Sequence, residues 1–369
     1  MIRCIHVAPE LPPTVGGVAD YTALLSRRLV EVSDGGVEPV LVHAGKEPAE
    51  TIEADVPVVD LSGQCSAAAL AETVRRLARE ADERAVVLLE YSGYGYSGRG
   101  TPVWLYRGLE RGCRTDSIEL VTVFHELAAS GPLWSSAFWL APLQRWIAKR
   151  LLRASSHALV NRPPSADQLR SWASDASKVV LQPVFSNVGE PEANLPLDDR
   201  DCAVIFCGGR EKELIYDHSD QLEQLLRREG IERLVDIGPP PETLPSMDVP
   251  CDVLGVQPAD TVSQWLLRAR MGFARRRLDL LTKSGVVAAY VAHGVPPVIL
   301  PHGSPSHAPP LDKGDQYITL SYARASTVDW KHLNRQTYEW YHRQAHSREA
   351  AHTILRVMPK SEEWIQANR

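Results

Sequence analysis

The sequence has no Cys-x-x-Cys pair. Its cysteines are few and far apart, at Cys4, Cys65, Cys113, Cys202, Cys207 and Cys251. Zinc sites and many redox centres need closely spaced cysteines, and small domains held by disulfides contain many more of them. The pattern therefore favours reduced, buried thiols in a cytosolic protein, and we expect no metal site.

Long apolar runs are also absent. No stretch is long enough to cross a bilayer, and residues 2–7 read directly as a strand, without the apolar region and small-residue exit of a signal peptide. We therefore expect a soluble, cytoplasmic protein.

The chain lacks a surplus of positive charge as well. With 40 Lys and Arg against 46 Asp and Glu, its net charge is −6. A general nucleic-acid binder needs many cationic contacts to phosphates, so this composition argues against a nucleic-acid partner. Any phosphate that the protein binds should be held by a local group of residues.

The chain alternates short β-branched runs with segments of helical spacing, which predicts parallel α/β sheets. The predicted strands are residues 2–7, 39–42, 56–61, 85–91, 118–124, 157–161 and 179–184 in the first half, and 203–207, 234–237, 252–255, 272–274, 297–300 and 317–320 in the second.

A chain of 369 residues exceeds the size at which one hydrophobic core usually stops growing, so two domains are expected. We predict an N-terminal Rossmann-like domain over 1–187 and a polar linker rich in Pro and Gly over 188–201. A second Rossmann-like domain follows over 202–329. Residues 330–369 form a helical segment, beginning with one long helix over 330–358, that packs back on the first domain.

Gly16 and Gly17 open a predicted helix directly after the first strand and a proline-rich loop. Glycines let the backbone approach a ligand, and the N–H groups at a helix start favour an anion, so both residues are candidates for binding a phosphate-containing ligand. A tight turn between strand and helix explains them equally well. The loop is not a G-x-G-x-x-G fingerprint, so we expect neither nicotinamide nor flavin, and no cofactor.

His125 and Glu126 follow the strand predicted over 118–124. The carboxyl ends of parallel strands are where open α/β sheets bind ligands, so the pair is a catalytic candidate. A histidine can donate or accept a hydrogen bond near neutral pH. The competing interpretation is a buried, hydrogen-bonded pair with no catalytic role.

Two basic segments in the second half are candidates for binding the phosphate groups of a ligand. Gly209 and Arg210 follow the strand over 203–207, with Lys212 just beyond, and a guanidinium suits phosphate oxygens. Lys283 precedes a helix for which Ser284 has N-cap chemistry. A solvated basic turn and an ordinary capped helix are the alternatives.

A glycine-rich loop carries three tyrosines, Tyr91, Tyr94 and Tyr96, and Trp134 lies further along the chain. Aromatic rings cover the apolar face of a sugar, which makes these residues candidates for binding the acceptor. A loop held in place by packed aromatic side chains is the other interpretation.

Three segments together resemble family 4 glycosyltransferases of the GT-B fold. They are the Gly-Gly loop over 13–21, the strand ending in His-Glu over 121–126, and the helix-to-strand segment over 289–296 that ends in Gly-Val-Pro. The resemblance implies two doubly wound domains facing a central cleft and a nucleotide-sugar donor. It also implies that His125 lines the sugar site, that Arg210 meets the phosphates, and that transfer retains anomeric configuration without a metal.

The sequence departs from that family on the donor side. The two glutamates that the family places eight positions apart are replaced by Leu281 and Ala289, and the lysine that usually follows Arg210 is missing. Residues 275–277, all arginine, stand in place of a Pro-Ser turn, where they either hold phosphates or are surface charges. The resemblance therefore predicts a divergent glycosyltransferase.

The acceptor is not identified by the sequence: a glycan, a lipid-linked sugar and a small molecule all stay open. A basic amphipathic helix over 144–153 is compatible with peripheral contact to anionic lipid, or simply with a charged face that covers the sheet. A GT-B nucleotide-sugar epimerase and a catalytically silent scaffold that binds sugar nucleotides are the alternative functions.

Overall fold

The structure is a computed structural model that describes residues 1–14, 16–47, 52, 54–81, 84–114, 118–129 and 136–358. The chain divides into two compact units. The first comprises Met1–Gln182 with Ala350–Arg369, and the second comprises Pro183–Glu349.

The first unit contains a seven-stranded parallel sheet in the order β3-β2-β1-β4-β5-β6-β7. Its strands are β1 Ile2–Ala8, β2 Val37–His43, β3 Val58–Asp60, β4 Arg84–Tyr91, β5 Ile118–Phe124, β6 His157–Val160 and β7 Val179–Leu181. The connecting helices are α1 Gly17–Val32, α2 Ala67–Arg79, α3 Gly93–Tyr96, α4 Val103–Gly112, α5 Ser136–Ala154 and α6 Pro163–Trp172, followed by a 3-10 turn over Ala176–Lys178. Central strands such as β4 are buried on both faces, which explains their nearly continuous apolar sequence.

The second unit contains a six-stranded parallel sheet in the order β10-β9-β8-β11-β12-β13. Its strands are β8 Cys202–Phe206, β9 Leu234–Ile237, β10 Cys251–Gly255, β11 Ala269–Arg276, β12 Pro297–Pro301 and β13 Ile318–Thr319. The helices are α7 Gly209–Tyr216, α8 Ser219–Arg228, α9 Ala259–Arg268, α10 Gly285–Ala292, α11 Leu320–Ala325 and α12 Trp330–Gln344, with 3-10 turns over Leu197–Asp199 and Leu278–Lys283. A further helix, α13, spans Ser347–Val357.

Each sheet has one point at which the order of its strands reverses direction. In the first unit it lies between β1 and β4, and in the second between β8 and β11. Connections leave such a point toward opposite faces, which opens a crevice at the carboxyl ends of the two strands. A ligand site of either unit is expected at this crevice.

The predicted class, two doubly wound α/β domains, is confirmed, but the single long helix expected over 330–358 is wrong. Two helices replace it, because the backbone N–H and the hydroxyl of Ser347 both donate to the Glu190 carboxylate, which starts α13 anew. The Tyr341 hydroxyl also donates to Glu190, at 2.6 Å. No helix in the described part of the chain is both long and apolar enough to cross a membrane.

Candidate functional site

A hollow of about 490 Å³ opens at the reversal point of the second sheet. We call it the basic hollow; its lining residues are Asn187, Phe206, Arg276, Leu280, Lys283, Ser284, Gly285 and Val286. Phe206 ends β8, Arg276 ends β11, and Gly285 begins α10. The hollow therefore stands where the carboxyl ends of two central strands meet the amino end of a helix.

The start of α10 gives the hollow its preference for an anion. Ser284 is the N-cap, and its hydroxyl accepts a hydrogen bond from the backbone N–H of Val287 at 3.3 Å. The first backbone N–H groups of a helix have no carbonyl partner within it, and the helix dipole adds partial positive charge at the same end. A Cβ placed on Gly285 would meet no atom within 4 Å, so the backbone is open to a ligand here.

Arg276 is fixed beside that helix start. Its Nε donates to the Ser284 hydroxyl at 3.2 Å, and its Nη1 donates to the Arg275 carbonyl at 2.8 Å. Nη1 also lies 3.3 Å from Oε2 of Glu211. These contacts aim a delocalised cation at the hollow, and Lys283 adds a second basic side chain to its lining.

Arg277 is held differently from its neighbour. Its Nε and Nη2 donate to the two carboxylate oxygens of buried Asp279, at 3.0 and 2.7 Å. Burial by itself opposes the charge on Asp279, but the hydrogen bonds from Arg277 and Ser306 outweigh it and lower the pKa of that carboxyl to about 2. Arg277 is thereby neutralised, and its pair anchors the turn that leads to α10.

The other donor-site candidates lie on α7. Gly209 begins this helix and the Arg210 side chain is exposed in its first turn. Lys212 is fully buried instead: its ammonium forms an ion pair with Asp236 and donates to the Pro239 carbonyl at 2.7 Å. A lysine held in this way is committed to the interior, so we leave Lys212 out of the proposed site.

The positions that replace the family's glutamates are interior. Leu281 is 1% exposed and Ala289 is fully buried. Neither position has access to a ligand without rearrangement, and a carboxylate at either one would have to be buried. The sequence departure is therefore matched by an apolar local structure.

In the first unit, His125 belongs to a buried series of hydrogen bonds at the reversal point between β1 and β4. Its Nε2 lies 2.6 Å from Oε2 of Glu90. The other carboxylate oxygen of Glu90 lies 2.8 Å from Nε2 of His6, and Nδ1 of His6 lies 2.7 Å from the Ser26 hydroxyl. We call these four residues the histidine relay.

Glu90 carries the negative charge of the relay. Burial alone would favour its neutral form, but hydrogen bonds and charge interactions with His125 and His6 outweigh burial, so the pKa of Glu90 lies below its ordinary value. The Tyr21 ring packs edge-on against His125, with ring centroids 5.4 Å apart. Burial, and then the charge of Glu90, raise the pKa of Tyr21, which keeps this phenol neutral.

The remaining candidates of the first unit have distinct positions. Gly16 is the N-cap of α1, and a Cβ on it would approach Oε2 of Glu10 to 2.8 Å, whereas a Cβ on Gly17 would meet no atom within 4 Å. Glu126 is exposed beside His125. Gly17 is thus open to a ligand, and the atom nearest a Cβ on Gly16 is the end of the Glu10 side chain, which can move aside.

The three tyrosines of the glycine-rich loop are not equivalent. Tyr96 is fully buried and its hydroxyl donates to the Val7 and Glu90 carbonyls, so its ring offers no face to a sugar. Tyr91 is almost as deeply buried, but with Tyr94 and Glu126 it lines a narrow cleft. Tyr94 is 37% exposed and is the tyrosine best placed for an acceptor. Trp134 lies outside the described residues.

Glu90 and His6 are polar residues of the relay that reasoning from sequence missed. Both are fully buried in otherwise apolar strands. A buried carboxylate is uncommon without a partner, so Glu90 within the apolar run over 85–91 was the available signal. Its partners could not be read from the sequence, because His6 and His125 are remote from it along the chain.

No protein-family model and no curated protein matches the sequence, but solved structures match its fold. HepE from Anabaena, in complex with UDP and glucose, is 10% identical with a TM-score of 0.59 and covers 96% of this chain and 99% of its own. A trehalose-6-phosphate protein from E. coli, bound with UDP-2-fluoro glucose, is 10% identical with a TM-score of 0.58 and covers 97% and 99%. TarM is 6% identical with a TM-score of 0.58 and covers 96% and 98%. Identities this low establish the fold alone: the chain has the GT-B fold, built from two Rossmann-like units.

Proposed function

We propose that the protein is a glycosyltransferase that takes a sugar from a nucleoside diphosphate sugar. The observation that carries the proposal is the basic hollow, where Arg276 and Lys283 stand beside the amino end of α10 on the GT-B fold. Cations and helix N-termini are what a diphosphate requires. The UDP-containing complexes of HepE and the E. coli protein make UDP the first nucleotide to test.

The same groups would act on the leaving group. When the bond between the sugar and the diphosphate breaks, negative charge grows on the phosphate oxygen that departs. Cations and N–H dipoles that are already in place stabilise that charge without having to reorganise. Arg276 is held in place by Ser284 and by the Arg275 carbonyl before any ligand binds. We assign the phosphate role to Arg276, Lys283 and the α10 start, with Arg210 as a further cation from α7.

The first unit would supply His125 to the sugar and Tyr94 to the acceptor. His125 is partly accessible, its side chain 11% exposed, and it is oriented by Glu90. Glu126 is exposed next to it and is assigned to binding the acceptor or orienting His125. Following the resemblance to family 4, we propose transfer with retention of configuration and without a metal.

Helix α5 suggests where an acceptor could be presented. Four large apolar side chains on it are exposed, Phe138, Trp139, Leu143 and Trp146, and Trp139 is 72% exposed. The helix contains no acidic residue, and Arg145, Lys149, Arg150 and Arg153 are distributed over its second half. Aromatic residues next to cations are typical of helices that lie on anionic membranes. We therefore propose peripheral contact with anionic lipid, which suits a lipid-linked acceptor.

A catalytically silent scaffold that binds sugar nucleotides is the second candidate. The observation in its favour is that Leu281 and Ala289, both buried, stand at the positions where the related family has the two carboxylates that it uses on the donor side. Such a protein would bind the nucleotide through the same hollow but would release no sugar. An epimerase would convert the nucleotide sugar into an isomer without any acceptor.

The test has two steps. Thermal unfolding is first measured with nucleotides and nucleotide sugars, because a ligand that binds only the folded state raises the melting temperature. The best donor is then incubated with extracts of lipid-linked and soluble glycans, with and without EDTA, and the products are analysed. Acceptor-dependent release of nucleoside diphosphate, unaffected by EDTA, supports the proposal. Binding without release supports the scaffold, isomerisation alone supports an epimerase, and no stabilisation by any ligand refutes a nucleotide-sugar function.

A further inference from the structure

The histidine relay has a defined arrangement of protons. An ionised carboxylate can only accept hydrogen bonds, so both imidazole Nε2 atoms that contact Glu90 must carry a hydrogen. In a neutral imidazole the other nitrogen then has a lone pair. For His6 that nitrogen is Nδ1, and it accepts a hydrogen bond from the Ser26 hydroxyl at 2.7 Å. The contact with Glu90 therefore sets the tautomer of His6, and the Ser26 hydroxyl, which can donate or accept, adapts to it.

The same reasoning fixes His125. Its Nε2–H donates to Glu90, so its Nδ1 is the ring nitrogen with a lone pair. His125 is the only relay member with solvent access, because the side chains of His6 and Glu90 are 0% exposed and Ser26 is 1% exposed. The relay thus ends at its surface in a hydrogen-bond acceptor whose direction is set by interior residues.

The thiol and phenol groups that face the relay from neighbouring elements are neutral, so Glu90 is the buried ionised group among them. Burial raises the pKa of Cys4 to about 12, with Glu90 adding to the shift, and burial and Glu90 also raise the pKa of Tyr96 and Tyr21. The thiol and both phenols therefore stay neutral near pH 7. Glu10 and Glu126 are the further carboxyls near this end of the sheet.

A buried carboxylate flanked by two histidines costs more than an apolar core unless all its hydrogen bonds are made. Packing does not require one, since β1 and β4 are otherwise apolar in their buried portions. This cost, together with a geometry that ends at a partly exposed imidazole, is hard to account for by stability alone. It is accounted for if the relay acts on something that binds to His125.

We propose that Glu90 and His6 are positioning residues that hold His125 in the tautomer whose Nδ1 accepts a hydrogen bond from a substrate hydroxyl. This inference rests on the proposed function for the substrate class, a sugar or another polyol, but not for the coupling within the relay. Ser26 orients His6 and is the buried end of the relay, opposite to His125. Neither Glu90 nor His6 has to touch the substrate.

The proposal predicts a dependence on the acceptor character of residue 90. Glu90→Gln keeps the size of the side chain and can still bond to both rings, but only if one histidine reverses its tautomer. The amide has one acceptor oxygen and one donor group, so at least one of the two imidazoles no longer donates from Nε2. We expect the Nε2–H tautomer to be lost in His125, in His6 or in both.

The test is a histidine NMR titration of the full chain, labelled at the ring carbon and nitrogen atoms. The His125→Asn variant identifies the His125 signal. The wild type should show His125 with Nε2 protonated and Nδ1 unprotonated, and Glu90→Gln should reverse the tautomer of His125, of His6 or of both. Ser26→Ala should change the His6 signals. Ser155→Ala is the matched control, because Ser155 forms a comparable buried hydrogen bond with Thr122 at 2.8 Å in the same unit.

Kinetics separate positioning from a merely structural role. With UDP-glucose or the donor identified by thermal shift, Glu90→Gln should lower kcat/KM by roughly 100-fold or more, as expected when a buried carboxylate no longer sets a histidine tautomer. Ser155→Ala should leave kcat/KM unchanged. His6→Gln should have an intermediate effect.

Two outcomes overturn the inference: tautomers of His125 and His6 that Glu90→Gln leaves unchanged, or the same change of tautomer in Ser155→Ala. The NMR result needs no turnover, so it is independent of the proposed function. If Glu90→Gln changes the histidine tautomers but no nucleotide sugar binds, the transferase proposal is refuted and the positioning role of Glu90 stands. If a nucleotide sugar binds but Glu90→Gln leaves the tautomers unchanged, the positioning role is refuted and the transferase proposal stands.

Discussion

Replacing Arg276 with Gln should weaken the binding of a nucleoside diphosphate to the second unit. A hydrogen bond to a charged group contributes about 1.5 to 3 kcal/mol. Part of that gain is offset in the wild type, because Arg276 must give up its partly exposed contact with Glu211, and such pairs contribute only about 0 to 1 kcal/mol. The net loss is roughly 0.5 to 3 kcal/mol, which corresponds to a Kd that rises roughly 2- to 160-fold.

The assay is isothermal titration with UDP at two salt concentrations. Screening weakens charge interactions, so the ratio of the variant's Kd for UDP to that of the wild type should be smaller at high salt. Arg270→Gln is the control: Arg270 lies on the same strand but at its opposite end, about 20 Å away along β11 at the usual rise per residue. If Arg276→Gln binds UDP within about twofold of the wild type, or Arg270→Gln is weakened equally, the assignment of the hollow to phosphate is refuted.

Three further predictions concern stability and membrane contact. Ala289→Glu should destabilise the fold by about 3 kcal/mol or more instead of improving donor binding, because it buries an unpaired charge; denaturant unfolding measures this. The pKa of Asp279 falls from 3.8 to about 2 on folding, so its ionised form should stabilise the protein by about 2 kcal/mol above pH 4, and this stability is lost as the pH falls toward 2. Asp279→Asn should lower the unfolding midpoint at pH 7 and flatten its acid dependence, and an unchanged midpoint would contradict the pairing with Arg277. Trp139→Ser should reduce binding to phosphatidylglycerol vesicles about tenfold, whereas Leu244→Ser, an exposed apolar control on the second unit, should not; equal losses would exclude α5 as the contact.

The strands of both sheets could be predicted because parallel strands buried on two faces require continuous apolar runs. All thirteen predicted strands are present, with ends that differ by a few residues: β11 begins at Ala269, whereas the prediction began it at residue 272. The break between α12 and α13 could not be predicted in the same way. It depends on Glu190, which is 157 residues from Ser347 along the chain.

The candidate site was predictable to the extent that its residues follow strands. His125 and Ser284 stand at a strand end and a helix start, and both positions can be read from a local pattern. Lys212 shows where such reading fails. From sequence it is a cation after a glycine turn, but the first turns of α7 rotate it inward to Asp236 on β9, and no local signal announces that partner.

The three consecutive arginines 275–277 illustrate why the donor side cannot be judged from charge alone. Identical neighbours have different partners here. Arg277 is neutralised by Asp279, whereas Arg275 and Arg276 both lie near Oε2 of Glu211, at 3.9 and 3.3 Å, and Arg276 is also held by Ser284 and lines the hollow. The residues that line the hollow include two cations and no carboxylate. Leu281 and Ala289 are buried at the positions where the related family carries acids. If the protein binds a nucleoside diphosphate sugar as proposed, the second unit would therefore hold it through the diphosphate more than through the hydroxyl groups of the ribose or the sugar.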